Sequence, residues 1–97
     1  MNNAAEIRQA IIDAMRDLVP DEAEDTITDS TDPIRGLGLD SEDGLDFACV
    51  ISERLGFEIP ANVNPFVDDD NHRARTIGEI VILIGELAQN EIGRAHV

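Results

Sequence analysis

Asp40-Ser41-Glu42-Asp43-Gly44-Leu45-Asp46-Phe47-Ala48-Cys49-Val50-Ile51-Ser52-Glu53-Arg54-Leu55-Gly56 is the stretch on which the fold turns. Its spacing predicts a helix. Leu45, Ala48, Ser52 and Leu55 mark one side, and Phe47, Val50, Ile51 and Arg54 mark another, at the three- and four-residue steps of a helical face. Either Asp40 or Ser41 suits the N-cap, and Glu42 and Asp43 then fall in the first turn, where the helix dipole favours acids. Gly56 stands where a helix commonly ends in a left-handed residue. Gly44 is out of place, since glycine inside a helix costs about 1 kcal/mol against alanine.

The flanks extend this reading. Upstream, Ile7, Ile11, Met15 and Leu18, with Ala10 and Ala14 beside them, form one apolar stripe on a helix from about Ala4 to Leu18, stopped by Val19-Pro20. Residues 20–40 read as a long connection, of a length uncommon in a compact domain and often functional. Its apolar anchors are Ile27, Ile34, Leu37 and Leu39. Downstream, Phe57-Glu58-Ile59-Pro60 is a short extended piece, and one short helical turn fits between Ala61 and Arg75. Thr76 then caps a last helix, with Glu79 completing a capping box. Ile77, Ile80, Val81, Ile84 and Leu87 form its buried stripe, and it frays near Asn90. The expected fold is all-α: a small antiparallel bundle of three main helices plus one short helix, with a long first loop. Ninety-seven residues make one domain over 1–97, ordered from about 4 to 90.

Charge narrows the function classes. Twenty-one acidic residues face seven basic ones, all of them Arg, for a net charge of −14. Such a chain repels phosphate backbones and anionic lipid surfaces, so no nucleic acid and no membrane insertion are expected. Basic protein surfaces are the partners the field would attract. The acids are densest in residues 21–32, which hold six and no basic residue, and along the helix that follows. The single Cys49 cannot form an internal disulfide, which points to a reducing compartment. MNNAAEIRQA lacks the basic-then-apolar plan of a signal peptide, and Ile80–Ile84 is far too short to span a bilayer, so a cytoplasmic location is expected.

Catalysis fails on inventory. His72 lies in a polar loop and His96 next to the last residue; neither has a periodic setting that would hold it beside a nucleophile, so no enzyme activity is expected. One Cys and two scattered His make a poor zinc set. A calcium loop counted from Gly44 places Leu39 and Val50 at ligand positions, and one counted from Gly36 places Pro33 and Arg35 there, so no EF-hand and no metal site is expected.

What remains is Gly36-Leu37-Gly38-Leu39-Asp40-Ser41 ahead of the acidic helix. Ser41 has two readings: an ordinary cap, or the bearer of a phosphodiester facing the free N–H groups and positive dipole end of the helix. Gly38-Leu39-Asp40-Ser41-Glu42 resembles the Gly-x-Asp-Ser-Leu attachment motif of the acyl carrier proteins. Asp43 and Asp46 fall where that family's recognition helix carries acids. Gly56-Phe57-Glu58-Ile59-Pro60 is similar to the stretch that follows that helix, and Thr76-Ile77-Gly78-Glu79 to the opening of the final one. The resemblance covers essentially the whole chain, in register apart from one insertion.

It implies 4′-phosphopantetheine esterified to Ser41, with Asp40 in the attachment motif, and acyl groups held as thioesters on the arm. The implied partners are a phosphopantetheinyl transferase and acyl-processing enzymes with basic docking surfaces. They would meet a monomer on the face bearing Glu42, Asp43, Leu45, Asp46, Cys49 and Glu53. Phe47, Ala48, Ile51, Leu55, Ile59, Ile77, Ile80 and Ile84 would line the acyl site, and equally serve as core.

Two departures stand out. Glu42 replaces the apolar residue that partner enzymes grip, and the 61–75 segment is several residues longer than the family's connection. That insert is either a solvated loop or a lid over the acyl site. An unmodified carrier-like adaptor, which Glu42 favours, and a carrier of aminoacyl groups are the competing functions.

Overall fold

The computed structural model describes residues 3–19, 27–68 and 73–95. Helix α1 spans Ala4–Leu18, α2 Ser41–Leu55 and α3 Ile77–Ala95, and a two-stranded antiparallel ribbon, β1 Val67–Asp68 and β2 Arg73–Ala74, stands between α2 and α3. The fold is mostly helical. Helices α1 and α2 keep the bounds expected from their stripes, whereas the backbone of α3 continues past Asn90 to Ala95.

Each start has a chemical cause. The Asn3 side chain accepts the Glu6 N–H at 2.9 Å and caps α1. In α2 the cap is Asp40: its Oδ1 accepts from the Asp43 N–H, while Asp43 Oδ2 accepts from the Asp40 N–H, both at 3.0 Å. Helix α3 has the expected capping box, with the Thr76 hydroxyl accepting from the Glu79 N–H at 3.3 Å and Glu79 accepting from the Thr76 N–H at 3.0 Å. Gly56 closes α2 with φ 76° and donates to the Ser52 carbonyl, a conformation that costs glycine nothing.

The core joins Ile7, Ile11, Ala14 and Met15 of α1, Phe47 and Ile51 of α2, Phe57, Ile59 and Phe66 of the following segment, and Ile77, Ile80, Ile84 and Ala88 of α3. The four anchors expected in the long connection, Ile27, Ile34, Leu37 and Leu39, all pack on it. Arg54 in the last turn of α2 pairs with Asp17 in the last turn of α1 at 3.1 Å. Those C-terminal ends therefore meet, where an antiparallel pair would hold them apart. The chain must return along the helices before α2 can begin, which accounts for the length of the connection. On the way, the Asp29 and Thr31 carbonyls accept from the Gly78 and Ile77 N–H groups at 2.8 Å each, satisfying two orphan donors of α3.

The short helical turn expected in 61–75 is replaced by the ribbon. The Asn64 side-chain oxygen accepts from the Phe66 N–H at 3.0 Å, a local bond that competes with helix. The Phe66 carbonyl then accepts from the Arg75 N–H at 2.9 Å, and Val67 pairs with Ala74. The ribbon's connecting residues, His72 and two of the three consecutive aspartates among them, lie outside the described residues, as do the acids of 21–25 and His96.

Arg73 closes the ribbon onto α3 by pairing with Glu79. That bond, reinforced by the Thr76 N–H, holds the Glu79 carboxyl down at about 2, and the Arg73 guanidinium is raised in turn. A carboxylate whose folded pKa lies below its unfolded value contributes stability above the unfolded value and loses it as pH falls through the folded one. Stability should therefore drop between about pH 4.5 and 2, and the drop should be shallower in Glu79→Gln, as thermal unfolding across that range would show.

Candidate functional site

Backbone geometry delivers Ser41 to the surface. Asp32 organises the approach: its Oδ1 accepts from the Ile34 and Arg35 N–H groups at 2.9 and 3.1 Å, and its carbonyl from the Gly36 N–H at 2.6 Å. A Cβ at Gly36 would fall 2.8 Å from that carbonyl, and Gly38 takes φ 73°. These two glycines thus permit a tight turn into α2. The Leu39 N–H donates to the Pro33 carbonyl at 3.1 Å, pinning the last residue before the cap.

Ser41 is the first residue of α2 and is exposed. Because Asp40 does the capping, the Ser41 hydroxyl makes no hydrogen bond among the described residues, and the Ser41 and Glu42 N–H groups are also unclaimed there. The other two serines differ. Ser30 Oγ lies 3.2 Å from Thr28 Oγ1, and the half-buried Ser52 Oγ accepts from the Ile59 N–H at 3.2 Å. Among the three serines, all of them described, Ser41 alone presents an uncommitted hydroxyl.

The structure spreads the proposed docking residues over the outer side of the same helix. Glu42, Leu45, Asp46, Cys49 and Glu53 are exposed, and Leu45 is 49% so, unusual for a leucine. Asp43 is half-buried and spent on the capping box. None of Asp40, Glu42, Asp43, Asp46 and Glu53 forms an ion pair among the described residues; Asp40 and Asp43 are held by the capping box, while Glu42, Asp46 and Glu53 turn their charges to solvent. A groove of about 480 Å³ runs beside this face, lined by Leu45, Ala48, Cys49 and Ser52 on α2 and by Ile59, Pro60 and Val63 opposite.

The proposed acyl-lining residues come together as packed interior. Phe47, Ile51, Ile77, Ile80 and Ile84 are fully buried, Ile59 nearly so, and Ala48 and Leu55 are partly buried against them. Only Ala48 and Ile59 of that set also line the groove.

No family model, curated protein or solved structure matches this chain. The functional reading therefore stands on the residues themselves. Among the described residues there is no cluster of three metal-ligating side chains, and no helix is long and apolar enough to cross a membrane.

Sequence reasoning missed what lies under Ser41. The Asn64 amide donates to the Ser41 carbonyl at 2.9 Å while its oxygen holds the Phe66 N–H. Phe66 is fully buried, its ring 5.3 Å from that of Phe47. A Cβ at Gly44 would collide with Asn64 Oδ1 and lie 3.1 Å from the Phe66 Cβ. The misplaced helical glycine is thus the seat of the inserted segment, and an apolar Phe between Asn64-Pro65 and Val67 was the available signal.

Proposed function

We propose that this protein is an acyl carrier: a small helical bundle with a long first loop, acting as a cytoplasmic monomer rather than as an enzyme. Ser41 is the attachment point for 4′-phosphopantetheine, whose thiol, when bound, holds acyl groups as thioesters. The observation that carries this reading is that Asp40 takes the capping role and leaves the exposed Ser41 hydroxyl free at a helix start. The unclaimed Ser41 and Glu42 N–H groups suit a phosphodiester there. Asp40, Glu42 and Asp43 oppose one, so the group must be held by its covalent bond and not by charge.

The remaining residues serve presentation. Glu42, Asp46 and Glu53, with Leu45 and Cys49 between them, form the docking face for a phosphopantetheinyl transferase and for basic enzymes of fatty acid, polyketide or lipid synthesis. The face is acidic with one apolar projection, Leu45. Phe47, Ala48, Ile51, Leu55 and Ile59, with Ile77, Ile80 and Ile84 beyond them, would shelter the acyl chain.

Incubation with coenzyme A and a transferase tests the proposal, with intact mass as the readout. Wild-type protein is expected to gain one phosphopantetheine slowly, and Glu42→Leu to gain it faster, because leucine restores an apolar contact beside the serine. Equal rates would remove Glu42 from the docking face. Glu42 also favours a second reading, an unmodified adaptor with the same fold and acidic face. Failure of several different transferases to add any mass would support the adaptor over the carrier.

A further inference from the structure

The geometry points to Asn64 as a positioning residue for modification at Ser41, with Asn64–Val67, fastened by Arg75, acting as a strap that fixes the serine-bearing turn. This rests on the carrier reading of Ser41 and adds to it a residue from outside the motif.

Ser41 is joined to the strap at a backbone atom. Its carbonyl is the helical acceptor for the Leu45 N–H four residues on, and the Asn64 amide supplies a second donor at 2.9 Å. Two donors on one carbonyl fix the 41–42 peptide plane, and with it the direction of the Ser41 side chain and of the Glu42 N–H. Asn64 is itself held at three points. Its Oδ1 accepts from the Phe66 N–H at 3.0 Å, its carbonyl accepts from Arg75 Nη1 at 2.8 Å, and the buried Phe66 ring anchors the chain beside it. The same Arg75 nitrogen bonds the Val67 carbonyl at 2.8 Å. The strap is therefore rigid where it touches the turn.

Gly44 shows that the contact is built in. Alanine there would favour the helix, yet its Cβ would strike Asn64 Oδ1. The helix carries a glycine at the one place where the strap must approach. Asn64 reaches the turn at the buried Gly44, whereas Glu42 and Leu45 are exposed.

Asn64→Asp separates positioning from folding, because aspartate keeps the acceptor for the Phe66 N–H and loses the donor to Ser41. In the transferase assay, well below the melting temperature, kcat/KM for Asn64→Asp and Asn64→Ala is expected to fall roughly tenfold or more, mainly through kcat. The Leu45 amide is expected to exchange its hydrogen faster in both. Wild-type kcat/KM in both folded variants would overturn the proposal. If wild-type protein accepts no phosphopantetheine, the carrier reading fails and the amide exchange decides alone: unchanged Leu45 exchange in Asn64→Asp would overturn the strap as well, and faster exchange would uphold its hold on the turn.

Discussion

Replacing Phe66 by alanine should lower the unfolding free energy by about 3–5 kcal/mol, the usual cost of emptying a buried aromatic site. Phe66 is fully buried and its ring meets that of Phe47 at a centroid distance of 5.3 Å and a tilt of 42°, an arrangement that adds to the apolar area it removes from water. The backbone around it is fastened at the Phe66 N–H, the Phe66 carbonyl and the Val67 carbonyl. Neighbouring groups cannot easily collapse into the space. Chemical denaturation of the variant measures the effect. An insert lying loosely in solvent would give the small change typical of surface positions, within about 0.5 kcal/mol, and that result would remove the strap from the core.

Ser41→Ala should abolish attachment of phosphopantetheine while leaving the fold as stable as before. The two halves of this expectation have one cause. Asp40 and Asp43 form the cap of α2 between them, so the serine hydroxyl has no structural duty. Asp40→Ala should do the reverse, costing about 1 kcal/mol through the lost cap while leaving a hydroxyl to modify. Thermal unfolding of the two variants separates these roles. A Ser41→Ala variant as destabilised as Asp40→Ala would return the serine to capping and weaken the carrier reading.

The helices were legible because their signals are local. The α1 stripe, the α2 cap and its terminal Gly56, and the Thr76–Glu79 box each depend on residues within a few positions of one another, and the structure keeps all of them. The ribbon was not legible, because it depends on a pairing between Val67 and Ala74 and on an Arg75 guanidinium reaching back to the Asn64 and Val67 carbonyls. No period of two develops over strands of two residues. Gly44 illustrates the same limit from the other side. Read along the helix it is a defect, and only the arrival of Asn64 from twenty residues away gives it a purpose. At the site, the sequence placed Ser41 at a helix start but left two caps open. The Asp40–Asp43 exchange of hydrogen bonds resolves that choice. The exposure of Glu42, Leu45, Asp46, Cys49 and Glu53 was legible, since exposure on a surface helix follows its period, whereas that of Asp43 was lost to the capping box.

On the carrier reading, the free hydroxyl of Ser41 carries 4′-phosphopantetheine. Protein produced together with a phosphopantetheinyl transferase, digested and mapped by tandem mass spectrometry, tests it most directly. The carrier reading predicts one added phosphopantetheine on the peptide containing Ser41, and none on those containing Ser30 or Ser52. An unmodified Ser41 peptide after exposure to several transferases, or the added mass on another residue, would contradict it.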